Sequence, residues 1–140
     1  VSWKKSVEIM KSKELELIKE LNDLYNRGLQ PTENQYEVYD AYNDNSIFEI
    51  KIRDAVYDTH YIQVDKFYNL LMVGEAINKK PFYLVKDSSG IYLYNLDEIK
   101  EETITSDIVP NFAPYRTEFK NNKKITKYFY ELNKYNSLNL

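Results

Sequence analysis

The first clear pattern along the chain is an apolar stripe at helical spacing, which predicts a helix whose certain part covers residues 12–26. The stripe consists of Leu17, Ile18, Leu21, Leu24 and Tyr25, and Met10 extends it back by one turn. Gly28 follows just past the expected end, where glycine often terminates helices. The pattern therefore predicts an amphipathic helix that packs one face on a core.

An acidic residue interrupts this stripe. Glu14 precedes Leu17 and Leu21 by about one and two helical turns, so it lies near the middle of the apolar face. A carboxylate on an inward face costs stability unless it is paired, hydrogen-bonded or bound to a metal ion. Alternatively, Glu14 lies at an exposed edge and only interacts with the dipole of the helix N-terminus. The sequence leaves both interpretations open.

A β-hairpin is predicted next. Two segments rich in aromatic and β-branched residues, 36–42 and 47–53, flank the sequence Asn43-Asp44-Asn45-Ser46. A two-residue turn at Asp44 and Asn45 suits positions that need positive φ. This turn sets the register of the two strands.

The register brings two carboxylates together. Asp40 lies directly opposite Glu49, and Val38 lies opposite Lys51. Because side chains alternate between the faces of a sheet, Asp40, Glu49 and Lys51 share one face. The other face then carries Phe48, Ile50, Ile52, Tyr39 and Ala41. Opposed carboxylates raise each other's pKa and weaken strand pairing, and a cation between them relieves both effects.

The middle of the chain predicts a helix and a second hairpin. Residues 54–61 are predicted as an irregular loop, and a helix follows over about 65–78 with Asp65 as its N-cap. The inward residues of this helix are Phe67, Leu70, Leu71 and Ile77. The second hairpin joins segments 82–85 and 91–96 around Asp87-Ser88-Ser89-Gly90.

The end of the chain predicts a long connection and a closing helix. Residues 97–122 contain Pro110 and Pro114 and predict at most one short strand. Residues 125–138 predict a helix with a stripe of Ile125, Tyr128, Phe129 and Leu132, and with the basic residues before it this element covers about 123–138. The order is helix, strands, helix, strands, helix. We therefore predict a single α+β domain, 1–140, around a mixed β-sheet flanked by helices.

Composition excludes several classes of protein. The 140 residues are 43% apolar and 29% charged, which is typical of a folded domain. The absence of cysteine excludes disulfides and thiolate chemistry, and the single histidine, His60, excludes a multi-histidine metal site. No apolar run approaches the ~20 residues of a membrane helix, and no signal-peptide core is present at the start. We therefore expect an intracellular, cytoplasmic protein without membrane contact.

Charge is unevenly distributed along the chain. The net charge is -3, yet the segment 21–115 is strongly acidic and the segment 116–140 is basic. Such a division suits a protein that gathers cations in one place and meets a polyanion in another. A solvated acidic surface with a basic terminal helix would give the same distribution.

The hairpin carries a set of residues that suits phosphoryl transfer. Mg²⁺ commonly takes one or two carboxylates, keeps several waters and shares phosphate oxygens, so Asp40 and Glu49 could hold it. Lys51 could hold the attacking water or neutralise charge on the phosphate. The alternative is an ordinary polar strand face on which Glu49 and Lys51 are neighbours.

Asp40, followed by Glu49-Ile50-Lys51 on the next strand, resembles the PD-(D/E)XK nuclease superfamily, also called restriction-endonuclease-like. The preceding helix with Glu14, and the helix and strands that follow, resemble the α-β-β-β-α-β core of that family over about residues 12–96. The residue before Asp40 is Tyr39 where the family often has proline. Gln63 and Phe67 match only half of the Gln-x-x-x-Tyr motif that some members carry.

The resemblance implies that Asp40 and Glu49 ligate Mg²⁺, with Mn²⁺ as a substitute, that Lys51 assists the water, and that Glu14 can join the site. Members of the family cut DNA, less often RNA, as endonucleases, exonucleases or junction resolvases. Dimerisation is common among them and lets two sites cut two strands. The resemblance thus implies a metal-dependent DNA nuclease, with a homodimer as the assembly.

Two further features have two explanations each. Lys123, Lys124 and Lys127, next to aromatic residues of the predicted terminal helix, are typical of a surface that binds a nucleic-acid backbone, and equally of a solvated helix face. His60 could act as a general acid or base, or it could be a solvated loop residue. For the whole chain, the competing hypotheses are a non-catalytic nucleic-acid-binding or assembly module with the same fold, and a nuclease relative that has lost its activity.

Overall fold

The structure is a computed structural model that describes residues 2–33, 37–103, 108–114 and 124–138. Along the chain it contains α1 (Trp3–Tyr25), β1 (Gln30–Pro31), β2 (Ala41–Tyr42), β3 (Ser46–Ile52), β4 (His60–Gln63), α2 (Val64–Ile77), β5 (Lys80–Asp87), β6 (Gly90–Asn95), α3 (Leu96–Thr103), β7 (Ile108–Pro114), β8 (Lys124–Leu132) and a 3₁₀ turn (Lys134–Asn136).

The strands form two sheets. The first has five strands in the order β1-β2-β3-β5-β6, and β3 and β5 are parallel while the other pairs are antiparallel. The second has three antiparallel strands in the order β4-β8-β7. The predicted α+β class with a mixed sheet is therefore confirmed. Parallel neighbouring strands need a long connection between them, which usually contains a helix. Here that connection, between β3 and β5, contains β4 and α2.

Helix α1 is longer than the stripe predicts. It begins after Ser2, whose hydroxyl accepts a hydrogen bond from the Lys5 backbone N–H at 3.2 Å. It ends at Asn26, which adopts the left-handed conformation with φ of 50°, so the helix stops before Gly28. Leu24 is 64% exposed, which shows that the end of the predicted stripe lies outside the core.

Two apolar clusters cover the two faces of the five-stranded sheet. On the first face α1 packs on strands β2, β3, β5 and β6 through Leu17, Ile18, Leu21, Ala41, Phe48, Ile50, Leu84 and Leu93. On the second face α2, α3 and the smaller sheet pack through Ile47, Ile62, Phe67, Leu70, Tyr83, Val85, Tyr94, Leu96, Ile99, Tyr130 and Leu132. The central sheet is thus buried on both sides, so any polar group on β3 lies in a protected environment.

The first hairpin has the predicted register. Ala41 pairs with Phe48 and Tyr42 pairs with Ile47. The strand β2 is only two residues long, so the predicted pairings of Asp40 with Glu49 and of Val38 with Lys51 are wrong. Tyr39 packs on the α2 side of the sheet, opposite to the predicted side, because the chain leaves the ladder before that residue. Neither Asp44 nor Asn45 has positive φ, so the turn differs from the predicted one.

Helix α2 confirms the predicted helix and most of its buried face. Phe67 and Leu70 are buried and Leu71 is partly buried, whereas Ile77 is 44% exposed, so its predicted place in the core is wrong. Asp65 is not the N-cap but lies in the first turn, where its negative charge interacts favourably with the helix dipole. The second hairpin is confirmed as β5 and β6, whose pairing closes at Asp87 and Gly90.

The C-terminal helix prediction is wrong. The segment forms strand β8, in which Tyr130 and Leu132 are buried and Glu131 between them is exposed. This alternation of period two is typical of a strand, and β8 pairs with β7 on one side and β4 on the other. The predicted loop at 54–61 is interrupted by the start of β4, and the predicted connection at 97–122 contains α3 and β7.

Candidate active site

Glu49 is a buried carboxylate on the central strand β3. Only 6% of the residue is exposed, because α2 covers this face of the sheet. Its Oε1 accepts a hydrogen bond from Nζ of Lys66 on α2 at 2.7 Å, which also makes an ion pair. The burial, followed by the charge of Asp40, raises the pKa of Glu49 to about 7 even though Lys66 and Lys51 lower it.

Asp40 is held at the end of the β2–β3 ladder by three hydrogen bonds. Its backbone N–H donates to the Phe48 carbonyl at 2.8 Å, and its carbonyl accepts from the Thr32 N–H at 2.9 Å. Its carboxylate Oδ2 accepts from the Ile50 N–H at 2.8 Å. The side chain therefore satisfies a backbone donor of β3 where the partner strand has ended, and this bond fixes the carboxylate beside Glu49.

Glu14 reaches the same place from α1. It is partly buried, and burial followed by the charge of Asp40 raises its pKa to about 7, while Lys11 and Lys66 lower it. Because β2 is short, the described strands leave the edge of β3 uncovered at this point, and residues from opposite faces of the sheet can meet there. Of the two interpretations of Glu14, the structure favours the inward carboxylate near Asp40.

Lys51 follows Glu49 on the same face of β3. Burial, with Arg53 and Lys66 nearby, lowers the pKa of Lys51 to about 8, while Glu49 and Asp40 raise it. Among the described residues Lys51 has no ion-pair partner, in contrast to Lys66. The Lys51 ammonium is therefore only weakly neutralised and can interact with an anion that enters the site.

Two neighbouring clefts open at this cluster. The carboxylate cleft has a volume of about 390 Å³ and is lined by Glu37, Val38, Asp40, Glu49, Gln63, Asp65, Lys66 and Asn69. The aromatic cleft has a volume of about 290 Å³, and its lining includes Lys51, Arg53, Tyr57, Tyr61, Gln63, Lys66 and Phe129. Gln63 and Lys66 line both, so the clefts adjoin along the start of α2.

The carboxylate set has the chemistry that Mg²⁺ needs. The described part of the chain has no group of three or more His, Cys, Asp or Glu side chains that could hold a metal ion by themselves. Mg²⁺ is usually bound by one or two carboxylates, with waters and phosphate oxygens as further ligands. Asp40 and Glu49 line one cleft, and the charge of Asp40 disfavours ionisation of Glu49, so their oxygens fit such an ion.

Lys66 is the site residue that sequence reasoning missed. It lies on α2, separated from Glu49 by β4 and a loop, and nothing in the local pattern pairs the two. The only usable signal is its place one turn after Gln63, at the start of a helix that packs on the β3 face. Gln63, which half-matches the glutamine motif, does lie beside Glu49 and Lys66 in the carboxylate cleft.

His60 is buried instead of solvated. Its Nε2 lies 2.8 Å from Asp87 Oδ2 and its Nδ1 lies 2.7 Å from the Tyr94 hydroxyl. Lys134 forms an ion pair with Asp87 at 3.4 Å. Burial alone would raise the pKa of Asp87, but hydrogen bonds from Ser89, His60 and Lys134 hold it well below its usual range. The network joins β4 to the β5–β6 hairpin, which gives His60 a structural role.

The structure describes the predicted nucleic-acid-binding lysines only in part. Lys123 lies outside the described residues. Lys124 and Lys127 lie on strand β8, not on a helix, and their side chains also lie outside the described part. Their role therefore stays a prediction.

Comparison with known proteins supports the fold. No model of a known protein family and no curated protein matches the sequence. Among solved structures, the chain is similar to Hjc, a Holliday junction resolvase from the archaeal hyperthermophile Archaeoglobus fulgidus, with a TM-score of 0.52 and 13% sequence identity. The similarity covers 87% of this chain and 86% of the resolvase chain. None of the described helices has the length and apolar character that a membrane crossing needs. The structural similarity to the resolvase shows that the chain has the restriction-endonuclease-like fold that the pattern of Asp40, Glu49 and Lys51 predicts.

Proposed function

We propose that this protein is a Mg²⁺-dependent nuclease that hydrolyses phosphodiester bonds of DNA, with Mn²⁺ as a substitute ion. The observation that carries the proposal is that Asp40 and Glu49 line one open cleft, with the charge of Lys51 close to both and Glu14 close to Asp40. Clustered, partly desolvated carboxylates destabilise a fold, and a bound cation is the simplest reason to keep them. The similarity in fold to a Holliday junction resolvase adds support.

Each residue has a defined role in this proposal. Asp40 and Glu49 would hold the ion, and Glu14 would orient it or its water from the α1 side. When bound, the ion supplies charge neutralisation at the phosphate and activates a water. The Lys51 ammonium would donate hydrogen bonds to that water and to a phosphate oxygen, which positions the attack and offsets the charge that develops.

Lys66 would balance the charge of Glu49 before the ion binds. Its ammonium is 2.7 Å from Glu49 Oε1, where it occupies an oxygen that the ion would use. The side chain of Lys66 is 37% exposed, so it can move toward solvent or toward a phosphate when the ion binds. Lys66 would therefore exchange a carboxylate partner for a substrate partner.

The alternative is a non-catalytic nucleic-acid-binding or assembly module of the same fold. Such a module would need no metal and would gain stability if a clustered carboxylate were removed. Cleavage separates the two functions, because a binding module leaves the DNA intact at every metal concentration.

The test is a cleavage assay with linear, circular, single-stranded and branched DNA in Mg²⁺, in Mn²⁺ and in EDTA. We expect metal-dependent cleavage by the natural protein and none by Asp40→Ala or Glu49→Ala. Asp44→Ala is the matched control, because it removes an exposed carboxylate from the same hairpin. Retained cleavage in both site variants would refute the assignment, and the absence of cleavage by the natural protein would favour the binding module.

The proposal extends to assembly and to the DNA-binding surface. A homodimer would place two sites on two strands, and sedimentation of the protein with and without DNA tests this. Lys123, Lys124 and Lys127 would contact phosphates, so their replacement by glutamine should weaken binding and reduce its salt dependence.

A further inference from the structure

Cationic and aromatic side chains line the aromatic cleft together. Lys66 also lines the carboxylate cleft, and Lys51 lies two residues after Glu49 on β3. The rings of Tyr61 and Phe129 meet edge to face, with centroids 6.4 Å apart, and come from strands β4 and β8 of the smaller sheet. Tyr61 is 42% exposed, so a large aromatic side chain faces solvent at the wall of the cleft.

This arrangement fits one nucleotide with its phosphate. Base–aromatic stacking tolerates any sequence because each base has a π-face. The cationic side chains of the cleft can bind the phosphate of the same nucleotide. A volume of about 290 Å³ is at the lower end for small-molecule sites, so the cleft can hold one residue of a strand but no base pair. In a duplex the faces of the bases are covered by their neighbours, and only an unpaired nucleotide offers a face to a protein ring.

We propose that the aromatic cleft binds an unpaired nucleotide next to the cleaved phosphate, so that the substrate class is single-stranded DNA or DNA with unpaired nucleotides at the cut. The proposal rests on the proposed nuclease function for the position of the cleaved phosphate, since Gln63 and Lys66 line both clefts. It also gives the smaller sheet a function, because β4 and β8 supply the stacking rings. Arg53, an exposed cation of the same cleft, would contact the phosphate of the bound nucleotide.

Tyr61 is a suitable residue to test. Its backbone carbonyl accepts a hydrogen bond from the Tyr83 hydroxyl at 3.0 Å, and Tyr61→Ala leaves this carbonyl in place. Tyr61→Phe keeps the ring and serves as the conservative variant. Tyr25→Ala is the matched control, because Tyr25 is a 41% exposed tyrosine at the end of α1 that does not line the cleft.

The experiment measures binding by fluorescence anisotropy in EDTA, where no cleavage occurs. The probes are a labelled single-stranded oligodeoxynucleotide, the same backbone with abasic residues, and a blunt duplex. We expect Tyr61→Ala to weaken binding of the intact single strand about tenfold or more and to leave the two other probes nearly unchanged. Tyr61→Phe and Tyr25→Ala should bind all three as the natural protein does. Arg53→Gln should weaken the intact and abasic strands alike, because a phosphate contact does not depend on the base.

Several results would overturn the proposal. One is equal affinity of the natural protein for intact and abasic strands, and another is an equal loss on all three probes in Tyr61→Ala. A third is an unchanged affinity of Tyr61→Ala when its melting temperature shows that it is folded. Cleavage is scored separately: if the natural protein cuts DNA and Tyr61→Ala binds normally, the subsite is wrong and the nuclease stands. If Tyr61→Ala loses base-dependent binding while the natural protein cuts nothing, the subsite stands and the nuclease is wrong.

Discussion

Replacement of Glu49 by glutamine should stabilise the metal-free protein, and the gain should grow with pH. The pKa of Glu49 is raised from 4.5 to about 7, chiefly by burial. The folded protein therefore retains a proton that the unfolded chain loses between these two values. The stability contributed by that proton is complete below pH 4.5 and is lost as the pH rises through about 7. Glutamine resembles the protonated form at every pH.

The size of the effect follows from the shift. With 1.36 kcal/mol for each pKa unit, the ionised form costs about 3 kcal/mol of folding free energy above pH 7. Solvent screening reduces this little, because the Glu49 side chain is only 8% exposed. Glu49→Gln should gain about 1 kcal/mol at pH 5 and about 3 kcal/mol at pH 8, apart from a constant offset for the lost Lys66 contact.

The assay is urea unfolding followed by circular dichroism at pH 5, 6, 7 and 8 in EDTA. At pH 8 the midpoint of Glu49→Gln should exceed that of the natural protein by about 1–2 M urea. Glu131→Gln is the control, because it makes the same substitution at an exposed position of a strand. A Glu49→Gln variant whose difference in unfolding free energy is the same at pH 5 and pH 8 would refute the desolvated carboxylate.

Mg²⁺ should raise the melting temperature more at pH 8 than at pH 6, because protons compete with the ion for carboxylates whose pKa lies near 7. Differential scanning calorimetry with Mg²⁺ and with EDTA measures this difference. Lys51→Ala should lower kcat sharply and leave Mg²⁺ affinity by titration calorimetry nearly unchanged, because Lys51 acts on water and phosphate; a collapse of metal binding would make Lys51 structural. Asp87→Asn should cost about 1–3 kcal/mol in urea unfolding, because it weakens buried hydrogen bonds and the ion pair with Lys134, and an unchanged midpoint would contradict that role. Gly74→Ala should destabilise the protein by about 1–3 kcal/mol in urea unfolding, because the Cβ of the new alanine would lie 2.7 Å from the Lys79 carbonyl oxygen. Alanine favours helices, so a stabilised variant would show that the backbone at Lys79 moves away at little cost.

The helices and hairpins that the sequence predicts correctly depend on local patterns. The apolar face of α1 at Leu17, Ile18 and Leu21 follows from a 3.6-residue period, and the register of β2 with β3 follows from a short turn. Because that register is local, residue spacing is enough to place Asp40 near Glu49. The identity of the fold then follows from these residues together with the order of the elements.

The wrong predictions concern segments whose partners are distant in sequence. Residues 125–132 contain apolar residues at both helical and strand spacing, and only the pairing of β8 with β4 and β7 selects the strand. The same pairing buries His60 next to Asp87, in a segment whose local pattern predicts a loop. Local propensity is a weak prior that tertiary contacts override, and strand pairing is the contact that acts over the longest separations.

The fold class and the presence of Asp40, Glu49 and Lys51 on one hairpin can be read from the chain alone, because they depend on residue type and short-range spacing. Packing between distant segments is needed to bring Glu14 of α1 close to Asp40, to pair Lys66 with Glu49, and to put the aromatic rings of the smaller sheet in one cleft with Lys51. The raised pKa of Glu49 has the same origin. It arises from desolvation under α2, and desolvation depends on which elements pack together and not on the residues next to Glu49 in the chain.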